Sequence, residues 1–113
     1  MDQPEYLPLQ EPTFFILLSL ANEPRHGYAI LKDVETLSGG KIRLGTGTLY
    51  GALNRLLDQG LIQRSPNGVA NHPGKPRKAY QLTQTGLRVL QAETSRLNHI
   101  LSAARLRLGE TQT

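Results

Sequence analysis

The sequence predicts a mainly α-helical fold with a small β-hairpin and a long C-terminal helix. Three patterns predict it. Leucines at positions 49, 53, 56 and 57 fall on one face of a short helix. A segment rich in turn residues, 66–76, separates two short stretches suited to β-strands. Beyond residue 83, apolar residues recur every three or four positions as far as residue 108, which is typical of one long helix.

The charge of this 113-residue chain is unevenly distributed. Its net charge is +4 and its pI is about 9.8. Residues 61–80 contain four bases and no acid, whereas residues 1–12 contain three acids and no base. A basic patch is typical of a domain that binds a phosphate backbone, although such a patch can also serve solubility alone. The length suits one domain with a modest core of its own.

The sequence contains no cysteine, which excludes disulfide bonds and thiolate metal sites. We expect the protein to be cytoplasmic. The apolar run 14–20 is too short to cross a bilayer, which takes about 20 residues. No basic segment precedes this run, as one would in a secretory signal. We therefore expect no association with a membrane.

Residues 1–12 show no periodic pattern and are predicted to form an N-terminal arm. The first helix is predicted from Thr13 to about Asn22, because Pro24 cannot continue it. Its run of apolar residues covers nearly the whole circumference of a helix. This helix should therefore lie at the centre of the core.

The second helix is predicted to open at Arg25-His26-Gly27-Tyr28 and to run to about Ser38, with Gly39-Gly40 ending it. Charged residues at positions 32, 33 and 35 mark its outer face. Its predicted inner face consists of Tyr28, Leu31, Val34 and Leu37.

The third helix is predicted to begin around residues 45–47 and to end at Gly60, where a left-handed cap is typical. Small or polar side chains occupy its outer face near the N-terminal end. A helix that packs by one face and presents such a surface suits insertion into a DNA major groove. These outer residues are Thr46, Thr48, Tyr50, Gly51 and Asn54.

Two short strands are predicted at residues 61–65 and 79–82, on either side of the turn-rich segment. They would form a hairpin with a basic tip. Three helices followed by such a hairpin make a winged helix-turn-helix domain, which we predict over residues 13–83.

The last helix is predicted over residues 84–109, with Thr83 as its N-cap and residues 110–113 as a tail. Its leucines, with Thr94 and Ala104 completing the series, follow the three-and-four spacing of a coiled coil, which predicts a homodimer. Val89, Ile100 and Leu106 widen the apolar stripe, so packing within one chain remains an alternative. The predicted dimerisation residues are Leu87, Leu90, Leu97, Leu101 and Leu108.

Several short motifs occur in a fixed order between Thr13 and Leu101. Together they resemble the PadR family of bacterial transcription regulators. The chain is most similar to the small subgroup with a single C-terminal helix. The motifs are His26-Gly27-Tyr28 with Ile30, Gly47-Thr48-Leu49-Tyr50 with Leu53 and Leu56, Gly60-Leu61-Ile62, and Gly74-Lys75-Pro76-Arg77-Lys78 leading into Tyr80-Gln81-Leu82-Thr83 and Gly86.

The resemblance implies a homodimer, joined by its C-terminal helices, that binds a two-fold symmetric operator in double-stranded DNA. It also implies a repressor, sometimes relieved by a small molecule. Some small members stack planar drugs on a tryptophan of the C-terminal helix. This chain has no tryptophan, and its last helix has no aromatic residue. A drug-stacking site is therefore not expected, and the nature of any effector stays unknown.

Candidate DNA contacts lie on the third helix. Thr48 and Asn54 have side chains that can bond base edges, and asparagine suits adenine; the alternative is that both are solvated or act as local caps. Tyr50 either reaches a phosphate or packs its ring against the second helix. Thr46 and the free amide groups at the helix start can hold a phosphate.

On the wing, Lys75, Arg77 and Lys78 are expected to neutralise phosphates or to enter the minor groove. Simple solvation is the alternative.

The three histidines, His26, His72 and His99, fall in different elements, so we expect no metal site. His26 is expected to cap or orient the second helix. The sequence lacks a phosphate-binding loop, a nucleophile elbow and a suitably spaced acid pair. We therefore expect neither an enzyme nor a bound cofactor. The competing function is a winged-helix module that binds proteins and has no specific affinity for DNA.

Overall fold

The computed structural model describes residues 6–66 and 78–110. It confirms a mainly α-helical fold of the winged helix-turn-helix type with a long C-terminal helix. The elements in chain order are α1 (Glu11–Ser19), β1 (Arg25–His26), α2 (Gly27–Leu37), α3 (Thr46–Asp58), β2 (Ile62–Arg64), β3 (Ala79–Leu82) and α4 (Gln84–Leu108).

The sheet has three antiparallel strands in the order β1-β3-β2. The predicted hairpin is present as β2 and β3, with Ile62 opposite Leu82. Strand β1 was not predicted, since residues 25–26 were assigned to the second helix. It pairs with β3 through Arg25 opposite Tyr80 and His26 opposite Ala79. The sheet therefore ties the start of α2 to the C-terminal strand of the wing.

Helix α1 begins at Glu11 and ends at Ser19, earlier at both ends than the predicted bounds. Pro12 lies inside its first turn, where a proline costs no hydrogen bond. The arm consequently ends before residue 11. Its described part is held to the domain, because the Leu9 amide donates to Glu93 Oε2 at 2.9 Å.

The predicted inner face of α2 is confirmed at Val34 and wrong at Tyr28 and Leu37, while Leu31 is partly buried against the core. Gly27, Ile30 and Val34 are the buried residues, whereas Tyr28 is 62% exposed and Leu37 is 40% exposed. The cause lies at the helix start, where Gly27 packs directly against Tyr50 of α3. This contact turns the face that contains positions 27, 30 and 34 toward the core.

The core is one cluster of apolar side chains from every helix and from the sheet. Helix α3 contributes Leu49, Leu53 and Leu56, as its pattern predicts. The remaining buried members include Ile16, Leu17, Leu20, Ile30, Val34, Leu61, Ile62, Tyr80, Val89 and Leu90.

Helix α4 starts as predicted. Thr83 Oγ1 accepts a hydrogen bond from the Gly86 amide at 3.0 Å and donates one to the Gly60 carbonyl at 2.6 Å. Gly86 lies against the Leu61 carbonyl so closely that a Cβ there would be 1.9 Å from the oxygen. The helix ends at Gly109, whose φ of 73° is the left-handed conformation that glycine adopts readily.

The buried residues of α4 all lie in its first ten positions, from Gly86 to Glu93. Glu93 is only 1% exposed and also accepts hydrogen bonds from the Arg96 guanidinium. These bonds hold the pKa of the Glu93 carboxyl below its usual range, against the opposing effect of burial. In the described part of the chain, no helix combines the length and the apolar character needed to cross a membrane.

Candidate nucleic-acid interface

The N-terminal end of α3 presents an open polar surface. Its N-cap, Gly45, supplies no side-chain hydrogen bond, and the first intrahelical bond runs from the Leu49 amide to the Gly45 carbonyl at 2.9 Å. The amide groups of residues 46–48 therefore have no partner within the helix, as at any helix start. Thr46 and Thr48 are exposed beside them.

Asn54 is exposed on the same helix, two turns further along. It lies about 12 Å from Thr46 along the axis, at about 1.5 Å per residue. The buried leucines on the opposite side fix the rotation of α3 about its axis. Thr46, Thr48 and Asn54 therefore face solvent as the sequence pattern predicted.

Tyr50 lies between α3 and α2. A Cβ built on Gly27 would meet Tyr50 Oη at 2.4 Å and Cζ at 2.8 Å, so the end of the tyrosine ring rests on the glycine. Tyr50 nevertheless stays 39% exposed. Tyr50 therefore packs against the second helix, which was one of its two predicted roles. Part of its side chain stays accessible at the surface.

Around Tyr50 the surface is concave, with a volume of about 510 Å³, and is lined by His26, Gly27, Tyr28, Tyr50 and Lys78. The residues come from three places in the fold: the β1–α2 junction, α3 and the residue before β3. His26 Nδ1 accepts a bond from the Ala29 amide at 3.4 Å, which confirms the expected cap of α2.

Tyr28 is the residue of this surface whose predicted burial was wrong. Its apolar ring and helical spacing made it a core candidate, yet it is mostly exposed. Lys32 Nζ lies 5.9 Å from the centre of its ring, one turn along α2. The spacing of Gly27, Ile30 and Val34 is equally regular and could have predicted the true inner face of α2.

The wing is described only near its base. Lys78 is exposed directly before β3, and Arg64 is exposed at the end of β2. Tyr80 is buried in the central strand β3, opposite Arg64. Burial raises the pKa of its hydroxyl, while the charge of Arg64 opposes that rise. Lys75 and Arg77 lie outside the described residues.

The apolar residues of α4 divide into two groups. Leu90 is 5% exposed and belongs to the core of its own chain. This corrects the prediction that Leu90 contacts a second chain in a dimer. Leu87 is partly buried. Leu97, Leu101 and Leu108 are exposed, as are Ile100 and Leu106 beside them.

Among residues 6–66 and 78–110, no three His, Asp or Glu side chains come close enough together to hold a metal ion. His26 and His99 belong to separate elements. His72 lies outside the described residues.

The model of the transcriptional regulator PadR-like family matches residues 16–92, from α1 to the buried part of α4. The chain belongs to this family. The match includes α2, α3 and both strands of the hairpin, and hence the whole described part of the polar surface.

Solved PadR structures share the fold. A PadR family transcription regulator from Clostridium difficile R20291 is 26% identical, with a TM-score of 0.71 over 88% of this chain and 99% of that one. Bacillus subtilis PadR, solved in complex with operator DNA, is 23% identical, with a TM-score of 0.62 over 73% of this chain and 45% of that one.

A curated relative is much longer than this chain. It is an uncharacterized 37.1 kDa protein in transposon TN4556 of Streptomyces fradiae, 40% identical over 78 residues. These residues make up 69% of this chain and 20% of that protein. The chain thus spans about a fifth of the length of this relative.

Proposed function

We propose that this PadR-like protein is a sequence-specific regulator that binds double-stranded DNA as a homodimer and represses transcription. The observation that carries the proposal is the N-terminal end of α3. There an exposed polar face lies opposite a leucine face buried in the core. Such a helix can enter the major groove without disturbing the packing of the domain.

In the proposed complex, Thr48 and Asn54 contact base edges, while Thr46 and the first amide groups of α3 lie near a phosphate. The exposed stretch of about 12 Å from Thr46 to Asn54 is comparable to the width of the major groove, which is about 12 Å. In the proposed complex, Thr46 and Asn54 would therefore reach the same groove. Their side chains are short, which requires the helix to approach the bases closely.

The wing supplies the positive charge. Lys78 lies on the same side of the domain as Tyr50, since both line one concave surface. Lys75 and Arg77 continue the basic segment along the sequence, and we propose that they neutralise backbone phosphates or enter the minor groove. The net charge of +4 favours this encounter with DNA.

The exposed half of α4 supports the homodimer. Leu97, Leu101 and Leu108 keep the coiled-coil spacing and are 39%, 48% and 71% exposed. Such residues are expected to be buried against another helix. A second copy provides the same seam. It would also supply the second α3 that a two-fold symmetric operator requires.

The test is selection of bound sequences from a random duplex pool, followed by anisotropy titrations of the selected duplex at several salt concentrations. The expected result is an inverted repeat with half-sites about one helical turn apart and a steep salt dependence. Repression is measured separately, with a reporter downstream of the selected site.

Two variants check the docking. Asn54→Ala should relax base preference at one operator position, whereas Arg77→Ala should weaken binding to all sequences and flatten the salt slope by about 1. Unchanged affinity in both variants would contradict the docking. Recovery of no motif would instead support the protein-interaction module.

A further inference from the structure

The described part of the arm, residues 6–10, lies between α3 and α4. On one side it lines a cavity of about 250 Å³ together with residues 52–59 of α3. On the other side Leu7 and Pro8 line a second cavity of about 550 Å³ together with residues 92–100 of α4. This short segment thus separates the proposed DNA-reading helix from the proposed dimerisation helix.

Polar and apolar contacts hold the arm on both sides. Tyr6 Oη donates to the Gln59 carbonyl at the end of α3, at 3.4 Å. The Leu9 amide donates to Glu93 Oε2 of α4 at 2.9 Å. The side chains of Tyr6, Leu7 and Leu9 are partly buried against the core. The arm therefore ties the end of α3 to the middle of α4.

Glu93 lies at the point where α4 leaves the core. It is the last buried residue of the helix, and Leu90, about one turn earlier, is the last buried apolar one. The leucines of the proposed dimer contact beyond Glu93 are exposed. Helices α3 and α4 themselves share few direct contacts. The arm is therefore a support at the place where the projecting half of α4 begins.

We infer that the arm is a strut that fixes the direction of the projecting half of α4, and that it thereby sets the distance between the two half-sites of the operator. The inference rests on the proposed function, because it needs a dimer and a two-fold symmetric site. Leu7, Leu9 and Glu93 are positioning residues in this scheme, since they act through α4 and contact no DNA.

A small change in the direction of α4 is large on the scale of DNA. Leu101 lies about 16 Å beyond Leu90 at about 1.5 Å per residue, so a rotation of about 10° at Leu90 displaces Leu101 by about 3 Å. Both protomers of a two-fold dimer contribute, which gives about 6 Å in total. Successive base pairs lie about 3.4 Å apart along the duplex. A dimer without the strut would therefore reach half-sites one base pair closer together or further apart.

The first experiment measures the direction of α4 without DNA. The chain has no cysteine, so Asn54→Cys on α3 and Ala103→Cys on α4 provide two unique, exposed sites for spin labels. Labelled protein is mixed with an excess of unlabelled protein, so that a dimer carries labels on one chain. Pulsed dipolar spectroscopy should give a distance distribution that is broader by about 3 Å in Leu7→Ala/Leu9→Ala than with the wild-type arm. Equally narrow distributions would overturn the inference.

The second experiment measures the accepted spacing. The selected duplex is rebuilt with its half-sites one base pair closer together or further apart, and each duplex is titrated by anisotropy. Wild type should lose about tenfold in affinity on either change. Leu7→Ala/Leu9→Ala should bind the selected spacing more weakly but should lose only about threefold on the change, because the turn of about 34° per base pair is still to be absorbed. Its base preference within a half-site should match wild type.

Leu18→Ala is the matched control. Leu18 of α1 is also partly buried against the core, and it lines neither of the cavities beside the arm. Leu18→Ala should lower Tm but keep the wild-type distance distribution and spacing preference, which separates a loss of stability from a loss of the strut. If the double variant does not fold in thermal melts, Leu7→Ala alone carries the test, since Leu7 lines the cavity beside α4.

The two experiments separate the strut from the proposed function. Wild-type protein that selects no duplex would overturn the proposed function and the role in spacing, while the distance measurement still tests the strut. A broader distance distribution with a wild-type spacing preference would overturn the role in spacing alone. A change in both supports the inference.

Discussion

Glu93 is the buried acid of α4, and its removal should destabilise the whole domain. The carboxylate accepts from the Leu9 amide at 2.9 Å and from two nitrogens of Arg96. Glu93→Ala leaves the Leu9 amide part-buried without its acceptor, at a cost of about 1–3 kcal/mol. Arg96 is 36% exposed and can regain water, so its loss adds only about 1 kcal/mol.

The combined loss is about 2–4 kcal/mol in the free energy of unfolding. For a chain of this size, about 4 °C in Tm corresponds to 1 kcal/mol, so Glu93→Ala should melt about 8–16 °C below wild type. Glu93→Gln keeps the shape and one acceptor oxygen and should lose about half as much. Melts by circular dichroism at equal protein concentration measure both, because the proposed dimerisation would make Tm depend on concentration.

Glu35→Gln is the matched control. Its carboxylate lies 3.4 Å from Arg43 in a pair that is largely exposed to water. Such surface pairs contribute about 0.5 kcal/mol or less, so this variant should melt within about 2 °C of wild type. A Glu93→Ala variant that melts as close to wild type would refute the role assigned to the buried carboxylate.

The same carboxylate predicts a pH dependence. Because the pKa of Glu93 is lowered in the folded state, its stabilisation is present above the ordinary carboxyl pKa of 4.5. It is lost as the pH falls through the lower folded-state pKa. The Tm difference between wild type and Glu93→Gln should therefore be largest near pH 7 and should shrink below pH 4.5. A difference that stays constant from pH 7 to pH 3 would contradict this assignment.

Two further pairs of variants test assembly and packing. Leu101→Glu places a charge among the exposed leucines Leu97, Leu101 and Leu108 and should convert the proposed dimer to monomer in sedimentation velocity. Leu106→Glu, outside this row of leucines, should leave the dimer intact; equal behaviour of the two variants would argue against the proposed contact. Gly86→Ala brings a Cβ to 1.9 Å from the Leu61 carbonyl and should cost about 3 kcal/mol or more in stability. Gly51→Ala, with no heavy atom within 4 Å of the added Cβ, should be neutral or stabilising in the same melt.

Features set by local sequence were predictable. The leucine face of α3, the Thr83 cap and the strands of the hairpin depend on residues a few positions apart, and the structure confirms each of them. Strand β1 was missed because two residues carry no periodicity of their own. It exists only through pairing with β3, more than fifty positions away in the sequence.

The buried face of a helix was predicted wrongly where apolar residues occupy two of its faces. In α2, Leu37 is about as apolar as Ile30, and Tyr28 has a largely apolar ring, so periodicity alone cannot choose between the faces. The contact of Gly27 with Tyr50 decides the phase, and that contact is tertiary. Likewise the leucine spacing of α4 is continuous, yet Leu90 lies in the core of its own chain and only the later leucines are exposed.

These tertiary contacts explain why the proposed DNA-binding surface should be rigid. Leu49 and Leu53 anchor α3 in the core from one side, and Tyr50 rests on Gly27 from the next. Rotation of α3 about its axis would pull the leucines from the core and break the contact with α2. The proposed base contacts at Thr48 are therefore oriented by the same packing that stabilises the fold. Substitutions that loosen α2 against α3 should reduce DNA affinity before they unfold the domain, because base readout needs tighter alignment than burial does.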